Sequence, residues 1–126
     1  MKAVLDTSVL IAIDVPELEG ELAISSASLA ELHFGVLVTA DAAVRAERLR
    51  RLSDLQRKFD ALPVDDDVAV SYGQLAAAVA DSGRQPRTRV MDLLIAATAH
   101  AHGARLYTRN ARALAAIGHL IEIVAV

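Results

Sequence analysis

The sequence predicts an α/β fold, a sandwich of helices around a mainly parallel sheet. Short apolar runs recur along the chain and read as strands buried on both faces. They alternate with longer stretches whose apolar residues return every three or four positions, the mark of helices with one buried face. Hydrophobic residues make up 54% of 126 residues, which supplies a core for one domain spanning 1–126 and leaves little room for a second.

Val4-Leu5 is the first strand, and Val9 to Ile13 the helix after it. Pro16 to Glu21 is a polar connection, and Leu22-Ala23-Ile24 a second strand ending at Ser25-Ser26. A helix then starts near Ser26 or Ser28 and runs towards Val38. From Ala42 to Ala61 the residues Leu49, Leu52, Leu55, Phe59 and Leu62 mark a helical stripe between charges. Pro63-Val64 is a turn or a very short strand, and Asp65-Asp66-Asp67 opens the helix over Val68 to Ala80, where acids suit a helix N-terminus. Gly83 and Pro86 punctuate a basic loop. Asp92 to His102 is an Ala-rich helix closed by Gly103. Ala104 to Thr108 reads as a strand, Ala111 to Ile117 as a helix, and Leu120 to Val126 as the last strand.

Composition excludes several functions. With no cysteine there is no disulfide framework, thiol nucleophile or thiolate metal site. This agrees with a reducing cytosol, and a cytoplasmic protein is expected. No apolar stretch reaches the roughly 18 residues of a membrane span, and Asp6 interrupts the only segment that resembles a signal peptide. Aromatics are 3% with no Trp, which disfavours RNA binding by base stacking. Net charge is −3, but unevenly spread. Residues 1–41 hold seven acids against Lys2, whereas residues 84–112 hold Arg84, Arg87, Arg89, Arg105, Arg109 and Arg112 against Asp92 alone. A basic region around one acid suits a polyanion, although a solvated arginine surface gives the same count.

Three carboxylates sit in apolar stretches: Asp6 after Ala3-Val4-Leu5, Glu31 in Leu29-Ala30-Glu31-Leu32, and Asp92 before Leu93-Leu94-Ile95. Acids among apolar residues are costly to bury unless paired, hydrogen-bonded or metal-bound. Each also fits a plain structural role. Asp6 and Asp92 can be helix N-caps, and Glu31 can complete a capping box with Ser28. In a parallel sheet, however, strand ends and the helix starts that follow share one edge, where ligands bind. Asp6 and Thr108 end strands, and Glu31 and Asp92 lie near helix starts.

Other candidates are weaker. Asp65, Asp66 and Asp67 are adjacent, so their side chains diverge, and they read as a solvated helix start. Asp14, Glu17, Glu19 and Glu21 read as loop charges. The four histidines form no ligand pattern. Ser8, Ser25 and Thr108 lack a histidine partner that would make them nucleophiles. No glycine-rich phosphate loop occurs. What remains is a carboxylate-held divalent cation, for which Mg²⁺ needs one or two carboxylates plus substrate oxygens.

At these residues the chain resembles the PIN-domain family and, within it, the VapC-type toxins of bacterial toxin–antitoxin pairs. The matching motifs are Asp6-Thr7-Ser8, the stretch from Ser25 through Ala30-Glu31-Leu32 to Gly35, the helix Asp92 to Ala99, and Leu106-Tyr107-Thr108-Arg109-Asn110. The resemblance covers nearly the whole chain. It implies a three-layer α/β/α fold and a Mg²⁺- or Mn²⁺-dependent endoribonuclease. It implies Asp6 and Asp92 as metal-binding acids, with Glu31 as a third metal-binding and catalytic member. It also implies a homodimer inhibited by a VapB-type antitoxin. Ser8, Thr108 and Asn110 are expected to supply hydrogen bonds, and Arg87, Arg89, Arg109 and Arg112 to steer the RNA. One departure stands out: family members often carry a further acid just after the Thr-x-Asn strand, and that position holds Ala113. Two rivals stay open: a PIN-like module that binds RNA or protein without cleaving, and a structural domain whose acids are all caps.

Overall fold

The computed structural model describes all 126 residues. Its centre is a four-stranded sheet of order β2-β1-β3-β4, with every neighbouring pair parallel. The strands are β1 (Lys2–Leu5), β2 (Glu21–Ala23), β3 (Arg105–Thr108) and β4 (Ile123–Ala125). The helices are α1 (Thr7–Leu10), α2 (Ser26–Leu37), α3 (Ala42–Lys58), α4 (Asp66–Asp81) and α5 (Val90–Ala101). Short 3₁₀ segments cover Pro86–Arg89 and Ala111–Ile117.

The two-residue alternation of the strands sorts the core into layers. Val4 and Leu106 face a cluster built from α4, α5 and the second 3₁₀ segment, including Leu75, Leu93 and Ile117. Ala3, Leu5 and Tyr107 face the other way, onto Val9 of α1, Leu18 and Phe59. Helical layers thus cover both faces, as the sequence predicts. Gly103, at φ +62°, ends α5 in the left-handed conformation, and Ala104 N–H returns to the Ala99 carbonyl at 2.9 Å. That turn delivers the chain directly into β3.

Several boundaries differ from expectation. The first helix spans Thr7–Leu10 rather than Val9 to Ile13, because the Asp6 carbonyl accepts from both Val9 and Leu10 N–H. Ile13 is 91% exposed instead. Only Ile123–Ala125 of the last apolar run pairs with β3, and Pro63-Val64 forms no strand; the one bridge there joins Ser25 and Leu62. Ala111–Ile117 winds as 3₁₀ turns kinked at Leu114. The stripe on α3 is only half covered: Leu52 is buried, but Val44 and Leu49 are 43% and 50% exposed.

The chain runs from β1 to β2 on one side and later returns to place β3 on the other side of β1. The seam between β1 and β3 is therefore the switch point of the sheet, where a crevice opens at the carboxyl ends of the strands. No helix is long and apolar enough to cross a membrane.

Candidate active site

Asp6 follows β1 at this seam and is buried, with 4% exposure. Its Oδ2 accepts from Ser8 Oγ at 2.7 Å and from Thr108 Oγ1 at 2.8 Å. Each hydroxyl also accepts a backbone N–H, Arg109 to Ser8 at 3.0 Å and Asn110 to Thr108 at 3.0 Å. A hydroxyl has one hydrogen, so with both aimed at Oδ2 none is left for the 3.4 Å approach between Ser8 and Thr108. Asp6 Oδ1 has no hydrogen-bond partner, yet it is not sealed in: the only fully buried side-chain nitrogen or oxygen without one is Arg105 Nε, which is ion-paired with Glu122 at 3.4 Å. One carboxylate oxygen is thus fixed, and the other keeps a little exposure and no partner within the chain.

Asp92 stands in the first turn of α5, whose start lies at the same sheet edge. Burial pushes its carboxyl above the usual carboxylate range, and the charge of Asp6 pushes it further; Arg89, at 3.4 Å, partly offsets both. The two carboxylates thus oppose each other's ionisation, Asp6 at the end of β1 and Asp92 at the start of α5.

Glu31 lies in the second turn of α2 and accepts from Thr7 Oγ1 at 2.8 Å. Thr7 is also 3.1 Å from Ser28 Oγ. Consecutive residues on the single turn of α1 thus serve different acids, Ser8 holding Asp6 and Thr7 holding Glu31. The three acids do not close into one ligand set, since no three Asp, Glu, His or Cys side chains stand within common reach of an ion. The donor set of Asp6 and Asp92 nevertheless fits a hard cation. It is all oxygen, with one open carboxylate oxygen and a second carboxylate whose charge is unfavourable where it stands.

The plain capping roles do not hold. Asp6 occupies an N-cap position, but its side chain makes no cap hydrogen bond. The N-cap of α2 is Ser25, which accepts from Ala27 N–H, so Ser28 and Glu31 form no capping box. The N-cap of α5 is Arg89. True acidic caps lie elsewhere: Asp41 accepts from Val44 N–H at 2.9 Å and Asp65 from Val68 N–H at 3.1 Å.

Two depressions flank the acid pair. One, of about 510 Å³, runs between α1, α2 and α3 and is lined by Thr7, Glu31, Leu10, Leu55, Arg48 and Arg51. The other, of about 600 Å³, is lined by Arg84, Arg89, Arg109, Asn110 and Arg112, with Ala113 among its small residues. Arg87 does not line it, and Arg109 is held by Asp14 at 2.6 Å. Thr7 is a site residue that the sequence does not single out, whereas Arg84 belongs to the basic region read from the sequence. Thr7 had a signal, being next to Asp6, but its partner is 24 residues away. Asn110 contributes its backbone N–H to Thr108, while its side chain makes no hydrogen bond within the chain.

Comparison with known proteins shows the family. The sequence model of the PIN domain family matches residues 3–120. The chain is 39% identical over 113 residues to Ribonuclease VapC5 of Mycobacterium tuberculosis, covering 85% of this chain and 82% of that one. It is 36% identical over 99 residues to Ribonuclease VapC8 of the same organism, covering 75% and 88%. Among solved structures it is similar to a member of the VapBC family of toxin–antitoxin systems, VapBC-5 of M. tuberculosis, with a TM-score of 0.84 and 36% identity over 99% of this chain and 97% of that one.

Proposed function

The chain belongs to the PIN-domain family and, within it, to the VapC ribonucleases, and from that membership we propose that it is a Mg²⁺-dependent endoribonuclease, the toxin of a VapBC-type pair. The observation that carries the reading is buried Asp6 at the β1–β3 seam, with one carboxylate oxygen held by two hydroxyls and the other without a partner in the chain, and Asp92 in the first turn of α5.

In this reading Asp6 and Asp92 hold the cation, with Mn²⁺ as a substitute. When bound, the ion activates water and neutralises charge on the scissile phosphate. Ser8 and Thr108 keep the Asp6 carboxylate at a fixed angle and leave its other oxygen without a partner in the chain. Glu31, anchored by Thr7, would orient the attacking water and accept its proton as the water oxygen bonds to phosphorus and the P–O3′ bond breaks, leaving a 5′-phosphate and a 3′-hydroxyl that takes its proton from solvent. The arginines beside the 3₁₀ segment raise the local concentration of RNA.

The partner is a VapB-type antitoxin that covers the α2–α3 face. Phe34, Leu37 and Val38 are 67%, 75% and 58% exposed there. With Leu49 of α3, 50% exposed, they are apolar side chains left open to an amphipathic segment. A homodimer is part of the same proposal. Mapping RNA 5′ ends in cells that express the chain tests the reading. New ends that appear with wild type and not with Asp6→Ala are expected; the same ends with both chains, or none with either, would overturn it.

A further inference from the structure

We propose that the arginine-lined depression between the Gly83–Arg89 stretch and the Ala111–Ile117 segment is a phosphodiester subsite. It grips a backbone phosphate of the RNA strand away from the one that meets Asp6 and Asp92. The inference rests on the ribonuclease reading and adds where the strand is held.

The 600 Å³ depression adjoins a second of about 310 Å³, and the two share Arg84, Arg89 and Ala113. The second adds Gln85 and Thr88, and no carboxylate lines either one. The arginines differ in what already holds them. Arg109 is paired with Asp14, and Arg89 with Asp92. Arg84 and Arg112 have neither a carboxylate partner nor a side-chain hydrogen bond, and both are exposed. They come from different elements, one after α4 and one after β3, yet face the same depression. Two free guanidinium groups lining one depression that no carboxylate lines favour an anion there, and a guanidinium fork matches phosphate oxygens.

Arg89 links these residues to the acids, because it lines both depressions and also reaches Asp92. The lining also includes Ala111, Ala113 and Ala125, small side chains that leave room for a nucleotide unit. An acid at position 113 would stand among the arginines and cancel their field. The path from Asp6 and Asp92 along Arg89 to Arg84 and Arg112 is thus a track from cleavage centre to anion grip.

The test is binding of a fluorescent single-stranded RNA at several salt concentrations, with chelator present so that no strand is cut. Arg84→Ala/Arg112→Ala is expected to weaken binding about tenfold and to flatten the salt dependence by roughly 0.7 for each phosphate that is no longer neutralised. Arg84→Lys/Arg112→Lys should recover part of the affinity. Arg57→Ala on α3, which removes a charge elsewhere, should bind as wild type. With metal restored, a dinucleotide too short to reach the depression should be cut equally by wild type and the double alanine variant. Unchanged affinity and salt slope in that variant would overturn the subsite. Failure of wild type to cut any RNA would overturn the ribonuclease reading instead, whatever the binding result.

Discussion

Thr108 donates its hydroxyl hydrogen to Asp6 Oδ2 at 2.8 Å across the seam between β1 and β3. Thr108 is fully buried and is held in turn by Asn110 N–H, so its hydroxyl cannot turn elsewhere. Thr108→Val keeps the shape and removes the donor. It should cost about 1–3 kcal/mol of stability, because Asp6 and the Asn110 amide are each left short of a partner. Cleavage should fall as well. Urea melts of the single and double variants check it: in an Asp6→Ala background the cost of Thr108→Val should shrink, since one of the two bonds is already gone.

Asp92 makes a prediction about pH. Its carboxyl is raised first by burial and then by Asp6, against the smaller pull of Arg89. An acid raised in the folded state binds its proton more tightly folded than unfolded. Ionising it therefore destabilises the fold, and stability is lost as pH rises from the unfolded carboxylate pKa, about 3.9, through the higher folded value. Asp92→Asn should melt at a higher temperature than wild type at pH 7. That gain should vanish below about pH 4, where both forms are neutral. The same variant should not cut RNA.

The acids that do cap helices should behave in the opposite way. Asp65 accepts the Val68 N–H at the start of α4, far along the chain from the seam. Asp65→Ala should cost about 0.5–2 kcal/mol in a denaturant melt. Its cleavage rate per folded molecule should stay at the wild-type level.

The open face of α2 and α3 makes a separate prediction. Phe34→Ser should leave the melting temperature almost unchanged, because the ring is 67% exposed. Co-expressed with the antitoxin, it should no longer be recovered as a complex on gel filtration, while its RNA cleavage persists.

The strands and long helices were legible because periodicity of two or three to four residues survives in a single chain. The start of α1 was not, since it is set by the Asp6 carbonyl, which no side-chain pattern reports. The three acids stood out by their apolar neighbours, and the edge of a parallel sheet made a shared crevice a reasonable expectation. The pairing of Thr7 with Glu31 was hidden because it is made in three dimensions, between residues far apart in the chain. The stripe on α3 was read correctly as helical, but amphipathicity shows which face seeks cover and not whether this chain supplies it. Likewise, the run of arginines was visible, whereas the split between Arg109, tied to Asp14, and the free Arg84 and Arg112 emerges only in the folded chain.

The most direct measurement is cleavage of RNA by the purified chain at equal folded concentrations, with Mg²⁺ and then with excess chelator. Wild type should cut with Mg²⁺ and stop with chelator, and Asp6→Ala and Asp92→Ala should be inactive under both conditions. Equal cleavage by all three chains, or cleavage that survives chelation, would contradict the account.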